Sequence, residues 1–161
     1  MEPIAVALSC VTRAVVRVTG YDPGGPYALF LNDGIPAELR GTDLSLTVAM
    51  QYRVGRGDGE RGPWRVAPAA YEYALRTRQD REVLAYHWHP ETREDGRPVR
   101  FPHLHVRCGD DVGRRLRKAH LPTGRVALED VLRLLVAGLG ARPLRPDWSA
   151  TLTRTRVAFE R

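Results

Sequence analysis

The feature that most constrains the fold is a repeated alternation of apolar and polar residues. From Leu44 to Val54, in LSLTVAMQYRV, an apolar side chain stands at every second position. Successive side chains of a β-strand point to opposite faces, so this pattern predicts a strand with one buried face. Similar runs predict further strands joined by short connections in an antiparallel β-meander, at Ala14–Thr19, Ala70–Leu75, Val83–His89 and Val99–Cys108.

The pattern becomes helical near the end of the chain. ALEDVLRLLVAGLG places Leu128, Leu132 and Leu135 at helical spacing, and Asp147 is a candidate cap for a second helix. The prediction is therefore an α+β protein, with an antiparallel β-meander sheet at roughly 14–108. One or two C-terminal helices, roughly 127–160, pack on one face of the sheet. The length of 161 residues fits one domain, and residues 1–20 could form a helix.

Four of the five histidines form two His-x-His pairs, His87/His89 and His103/His105. A hairpin turn centred on Gly96 predicts that His87 lies opposite His105 and that His89 lies opposite His103. Residues two apart on a strand share a face, so all four imidazoles are expected on one face of the hairpin. The other face would then be almost wholly apolar, which disfavours a slip of one residue, whereas a slip of two would keep the faces and offset the pairs.

The preceding strand extends this cluster. A tight turn near Gln79-Asp80 predicts that Glu72 lies opposite His87, and Arg107 follows His105 by two residues on the same face. The predicted functional face therefore comprises Glu72, His87, His89, His103, His105 and Arg107.

These residue types suit metal-independent cleavage of RNA. Histidine titrates near neutral pH and can act as general acid or base, and Glu72 could raise the pKa of His87. Arg107 could stabilise the charge on the reacting phosphate. The net charge is +6, and the chain has a candidate nucleic-acid-binding run at Arg114, Arg115, Arg117 and Lys118. This mechanism requires no cofactor.

Two alternatives remain open at this stage. The same four histidines could hold zinc or another divalent transition metal, with Glu72 or Glu91 as a carboxylate ligand. The face could also serve as a non-enzymatic surface for nucleic acid or protein. His120, which precedes the C-terminal helix, could cap it or contact the same site, but a loop histidine is the favoured prediction. The sequence contains no C-x-x-C pair, phosphate-binding glycine loop or nucleophile elbow.

The second half of the chain resembles the TumE-type toxins of bacterial type II toxin–antitoxin pairs. The matching segments are YHWHPE at Tyr86–Glu91, FPHLHV at Phe101–Val106 and ALEDVLRLL at Ala127–Leu135. The resemblance implies RNA as the substrate and an acidic antitoxin as a partner. By motif it implies a functional role for His87, His89, His103 and His105.

The sequence gives no indication of a membrane partner. No apolar run reaches the roughly 18 residues that span a bilayer, and no signal peptide is evident at the N-terminus. The expected location is therefore the cytoplasm.

Overall fold

The computed structural model describes residues 2–19, 27–56, 64–91, 93–94, 97–107 and 119–159. These residues form an antiparallel sheet of eight strands, a separate two-stranded ladder and three α-helices. The sheet strands are β1 (Val16–Thr19), β2 (Tyr27–Leu31), β3 (Ala37–Glu38), β4 (Leu44–Arg56), β5 (Trp64–Thr77), β6 (Glu82–Trp88), β9 (His103–Val106) and β10 (Leu121–Pro122). The ladder consists of β7 (Arg93–Glu94) and β8 (Arg97–Pro98), and the helices are α1 (Glu2–Leu8), α2 (Leu128–Arg133) and α3 (Trp148–Phe159).

The strands lie in the order β1-β2-β4-β5-β6-β9-β10, and β3 pairs with β4 beside β2. Strands β4, β5, β6 and β9 therefore follow one another as the predicted meander. The turn near Gln79-Asp80 has the predicted register, since Tyr71 lies opposite Trp88 and Glu72 opposite His87. The α+β prediction is confirmed.

One face of the sheet forms the core with the helices. On β4 the predicted alternation is confirmed at Leu46, Val48 and Met50, which are all buried. Val54 is 41% exposed, and within the described ranges it pairs with β5 alone. The buried side chains that α2 and the turn after it contribute to this core are Leu128, Val131, Leu132 and Leu135.

The helix predicted from the leucine spacing is α-helical only at Leu128–Arg133. After α2 the chain widens into a π-helical turn at Leu134–Gly138, where the Leu139 amide donates to the Leu134 carbonyl at 3.0 Å. This turn ends at Gly138, and Gly140 then adopts a φ of +77°, a conformation that favours glycine and turns the chain away. Helix α3 packs against α2, and Arg156 joins Asp130 in an ion pair of 2.8 Å.

The N-terminal region is divided between helix and strand. Glu2–Leu8 is helical, and the valine-rich run predicted as a strand forms β1 from Val16. No helix among the described residues is long and apolar enough to cross a membrane.

Glu129 is a buried carboxyl group on α2, with only 4% of its surface exposed. Burial raises its pKa above 4.5, and hydrogen bonds from its own backbone and from Thr155 offset this in part. The unfolded chain therefore loses this proton at lower pH than the folded protein does. Stability that is present below pH 4.5 is lost as the pH rises through the raised pKa.

Glu129→Gln is expected to increase the free energy of unfolding at pH 7, because glutamine does not ionise and no buried charge has to form. At pH 4 the gain should be smaller. Urea denaturation at both pH values measures the difference, with the exposed Glu91→Gln as control. Equal effects of Glu129→Gln at pH 4 and pH 7 would contradict the prediction.

Candidate metal centre

The histidines lie on one face of the sheet, as predicted, but their pairing differs. His87 lies opposite His103, and Ala85 lies opposite His105. The predicted pairs His87–His105 and His89–His103 are therefore wrong by two residues. A shift of two leaves every side chain on its original face, so the apolar face is unaffected.

The connection between the two strands explains this shift. Within it β7 and β8 pair as a separate ladder, in which Arg93 lies opposite Pro98 and Glu94 opposite Arg97. The predicted turn residues Asp95 and Gly96 lie outside the described residues. The ladder of β7 and β8 is separate from the sheet that contains β6 and β9. The geometry of this ladder therefore does not determine the register of β6 with β9. The predicted strand at Val99–Cys108 is shortened to His103–Val106.

Three imidazoles converge between β6 and β9. His87, His103 and His105 each offer a ring nitrogen, and these atoms lie within 4.8 Å of one another. The ring centroids of His87 and His105 are 4.8 Å apart, those of His103 and His105 4.9 Å, and those of His87 and His103 5.7 Å. We call His87, His103 and His105 the histidine triad. The ring centroid of His89 lies 5.8 Å from that of His87, but its nitrogens are not among the three that lie within 4.8 Å of one another.

The triad is largely removed from solvent. His103 is 2% exposed, and His105 is also buried. Small side chains surround the triad on the same face, where Ala74 and Ala85 are fully buried. Both ring nitrogens of His87 and Nε2 of His103 are buried and have no hydrogen-bond partner in the described part of the chain. Buried polar atoms of this kind are costly, so native proteins rarely leave several together unsatisfied.

The backbone fixes the orientation and the tautomer of His103. Its Nδ1 lies 3.0 Å from the carbonyl oxygen of Phe101. A carbonyl can only accept a hydrogen bond, so Nδ1 carries the proton. In the neutral ring Nε2 then bears the lone pair. A backbone carbonyl bonded to the outer nitrogen is the usual support of a metal-binding histidine.

The surroundings of His87 favour its neutral form. Burial, together with the smaller effect of the neighbouring His105, lowers its pKa to about 4, although Glu82 acts in the opposite direction. His87 is therefore uncharged at pH 7, which is the form of imidazole that binds metal ions.

Glu72 lies where the sequence predicted, opposite His87, but it does not form a hydrogen bond or ion pair with any described residue. It lines an open groove of about 330 Å³ on the histidine face of β2, β4 and β5. Arg76 and Asp80, which also line this groove, form an ion pair with each other. Glu72 thus stands beside the triad at the edge of an accessible surface.

Arg107 forms an ion pair with a carboxylate of β6. Its Nε donates to Glu82 Oε1 at 2.8 Å, so its charge is matched within the protein. Glu91, which the sequence offered as an alternative carboxylate ligand for a metal, is largely exposed. Its Oε1 lies 3.6 Å from Nη2 of Arg53. The predicted nucleic-acid-binding residues Arg114, Arg115, Arg117 and Lys118 lie outside the described residues.

His120 lies in a loop, as predicted, but it also contacts the triad, which the sequence had suggested only as the less favoured alternative. Its ring centroid lies 4.9 Å from those of both His103 and His105. Strand β10 causes this proximity, because Pro122 lies opposite His103 and Leu121 opposite Leu104. A two-residue strand has no detectable periodicity. The sequence feature that could have indicated this contact is the presence of a fifth histidine, two residues before Pro122.

Comparisons with known proteins do not assign this site. No protein-family model matches the chain, and searches of curated proteins and of solved structures found no significant match. The resemblance to TumE-type toxins therefore rests on the sequence segments alone.

Proposed function

We propose that the protein binds a divalent transition-metal ion through the histidine triad. The observation that carries the proposal is the convergence of the three ring nitrogens within 4.8 Å of one another. Neutral imidazole suits zinc, copper, nickel and iron, whereas magnesium and calcium prefer oxygen ligands. The nitrogen-only ligand set of the triad favours Zn²⁺ or a metal of similar chemistry.

The spacing of the rings supports this proposal. Zinc–nitrogen bonds are about 2.0–2.1 Å long, so imidazole centroids around a tetrahedral ion lie roughly 5.2 Å apart. The centroid distances within the triad are 4.8, 4.9 and 5.7 Å. Small side-chain rotations would therefore bring all three lone pairs onto one point. Metal binding would also satisfy nitrogens of His87 and His103 that are buried and find no hydrogen-bond partner among the described residues.

His103→Ala is expected to lower the affinity for Zn²⁺ by about 100-fold or more, because it removes the ligand that the backbone orients. Isothermal titration of metal-free protein with Zn²⁺ measures the affinity, and circular dichroism shows whether the variant folds. His89→Ala is the matched control, since it removes an imidazole from the same face but not from the triad. No binding by the wild type, or equal losses in both variants, would refute the proposal.

A metal-independent ribonuclease, with RNA as substrate and an acidic antitoxin as partner, stays a prediction. The observation in its favour is the position of Glu72 opposite His87, where the carboxylate could orient an acid–base histidine. The burial of His103 and His105 favours the metal proposal, because a polymer must reach both catalytic groups. RNA cleavage measured in the presence of a chelator tests the ribonuclease.

A further inference from the structure

We infer that His120 is the fourth ligand of the metal ion and closes its coordination sphere. This inference rests on the proposed metal binding by the triad. It assigns a role to a histidine outside the two His-x-His pairs and defines the kind of metal site that the protein forms.

The position of His120 follows from the pairing of β10 with β9. Leu121 lies opposite Leu104 and Pro122 opposite His103. Continuing this antiparallel register by one residue places His120 opposite His105, on the same face as the triad. The short strand therefore brings a distant part of the chain to the edge of the cluster.

The ring geometry fits a fourth vertex on the side of His103 and His105, although the ring nitrogens of His120 lie outside the 4.8 Å group of the triad. The centroid of His120 is 4.9 Å from those of His103 and His105, close to the roughly 5.2 Å expected around a tetrahedral zinc ion. Its ring plane is inclined by 76° to His103 and by 84° to His105, so the rings meet edge to face. Imidazoles in this arrangement can direct their nitrogens to a common point without stacking.

His89 provides the contrast within the same cluster. Its ring contacts His87, at 5.8 Å, and no other triad member among the described residues. It lines a recess of about 70 Å³ formed with β2, β4 and β5, on one flank of the triad along the sheet. His120 lies on the other flank, toward the sheet edge beyond β9. Of the two remaining histidines, His120 alone is placed to contact two triad rings.

A fourth imidazole changes the chemistry of the site. Three protein ligands leave a position for water or substrate, whereas four nitrogen ligands make a closed tetrahedral site of the structural kind. Such a site selects Zn²⁺ or Co²⁺ over ions that require six oxygen ligands. The ion would link β6, β9 and the residue before β10, and so would fix the edge of the sheet.

The test uses the full chain loaded with Co²⁺, whose visible absorption is intense in tetrahedral sites and weak in five- or six-coordinate ones. We expect an intense spectrum from the wild type and from His89→Ala. His120→Ala should give a weaker, shifted spectrum and a Zn²⁺ affinity about 10-fold lower. His120→Leu, which retains bulk but has no lone pair, should behave in the same way and covers the case in which the alanine variant fails to fold.

The outcomes separate the two proposals. If the wild type binds neither Co²⁺ nor Zn²⁺, both the triad site and the role of His120 are refuted. If the wild type binds and His103→Ala does not, but the His120 variants keep the wild-type spectrum and affinity, the triad stands and His120 is not a ligand.

Discussion

Zinc at a free concentration a thousandfold above its dissociation constant is expected to raise the free energy of unfolding by about 4 kcal/mol. The proposed ligands come from β6 and β9, which are joined by a long connection, so the unfolded chain cannot present them in the same geometry. Denaturation in urea, followed by circular dichroism with Zn²⁺ or with a chelator, measures the gain.

His103→Ala provides the control for this stabilisation. Its unfolding curve should shift by much less on adding Zn²⁺, since the triad has lost a ligand. Protons compete with metal for imidazole, so the stabilisation of the wild type should also decrease as the pH falls. Superimposable curves for the wild type with and without Zn²⁺ at pH 7 would be incompatible with the proposed site.

Leu132→Ala is expected to destabilise the protein by about 2–5 kcal/mol, whether or not metal is bound. Leu132 has no exposed surface and belongs to the core cluster that also contains Tyr71 and Tyr73. Truncation would remove apolar contacts and leave a cavity between α2 and the sheet. Chemical denaturation of the metal-free protein measures this loss.

Leu139→Ala is the matched control for the core substitution. It makes the same chemical change just after the π-helical turn, where the side chain is 40% exposed. Its effect should be about 0.5 kcal/mol or less. Similar losses in the two variants would show that α2 does not pack on the sheet as described.

The sequence was sufficient to predict the faces of the strands. The period-two pattern determines which side of the sheet each residue occupies, so Met50 and Trp88 were correctly assigned to the core and His87 to the other face. The tight turn near Asp80 also determined the pairing of β5 with β6. In each case the information is local to a strand or a short turn.

The remaining features depend on contacts that are not local. The pairing of His87 with His103 is set beyond a connection that contains its own ladder, and period-two alternation cannot distinguish registers that differ by two. The ion pair of Arg107 with Glu82 joins two strands through flexible side chains. His120 reaches the cluster through a strand of two residues, too short to be recognised by pattern.

Trp88 lies between His87 and His89 in sequence, and its side chain is in the core while those of its neighbours are on the other face. Selection on the interior of this protein therefore also acts on the angle at which the neighbouring imidazoles are held. If the triad binds a metal ion as proposed, a substitution that repacks the interior around Trp88 is expected to change ion selectivity without altering a ligand residue. We therefore expect substitutions on the two faces of this strand to have coupled, non-additive effects on metal affinity.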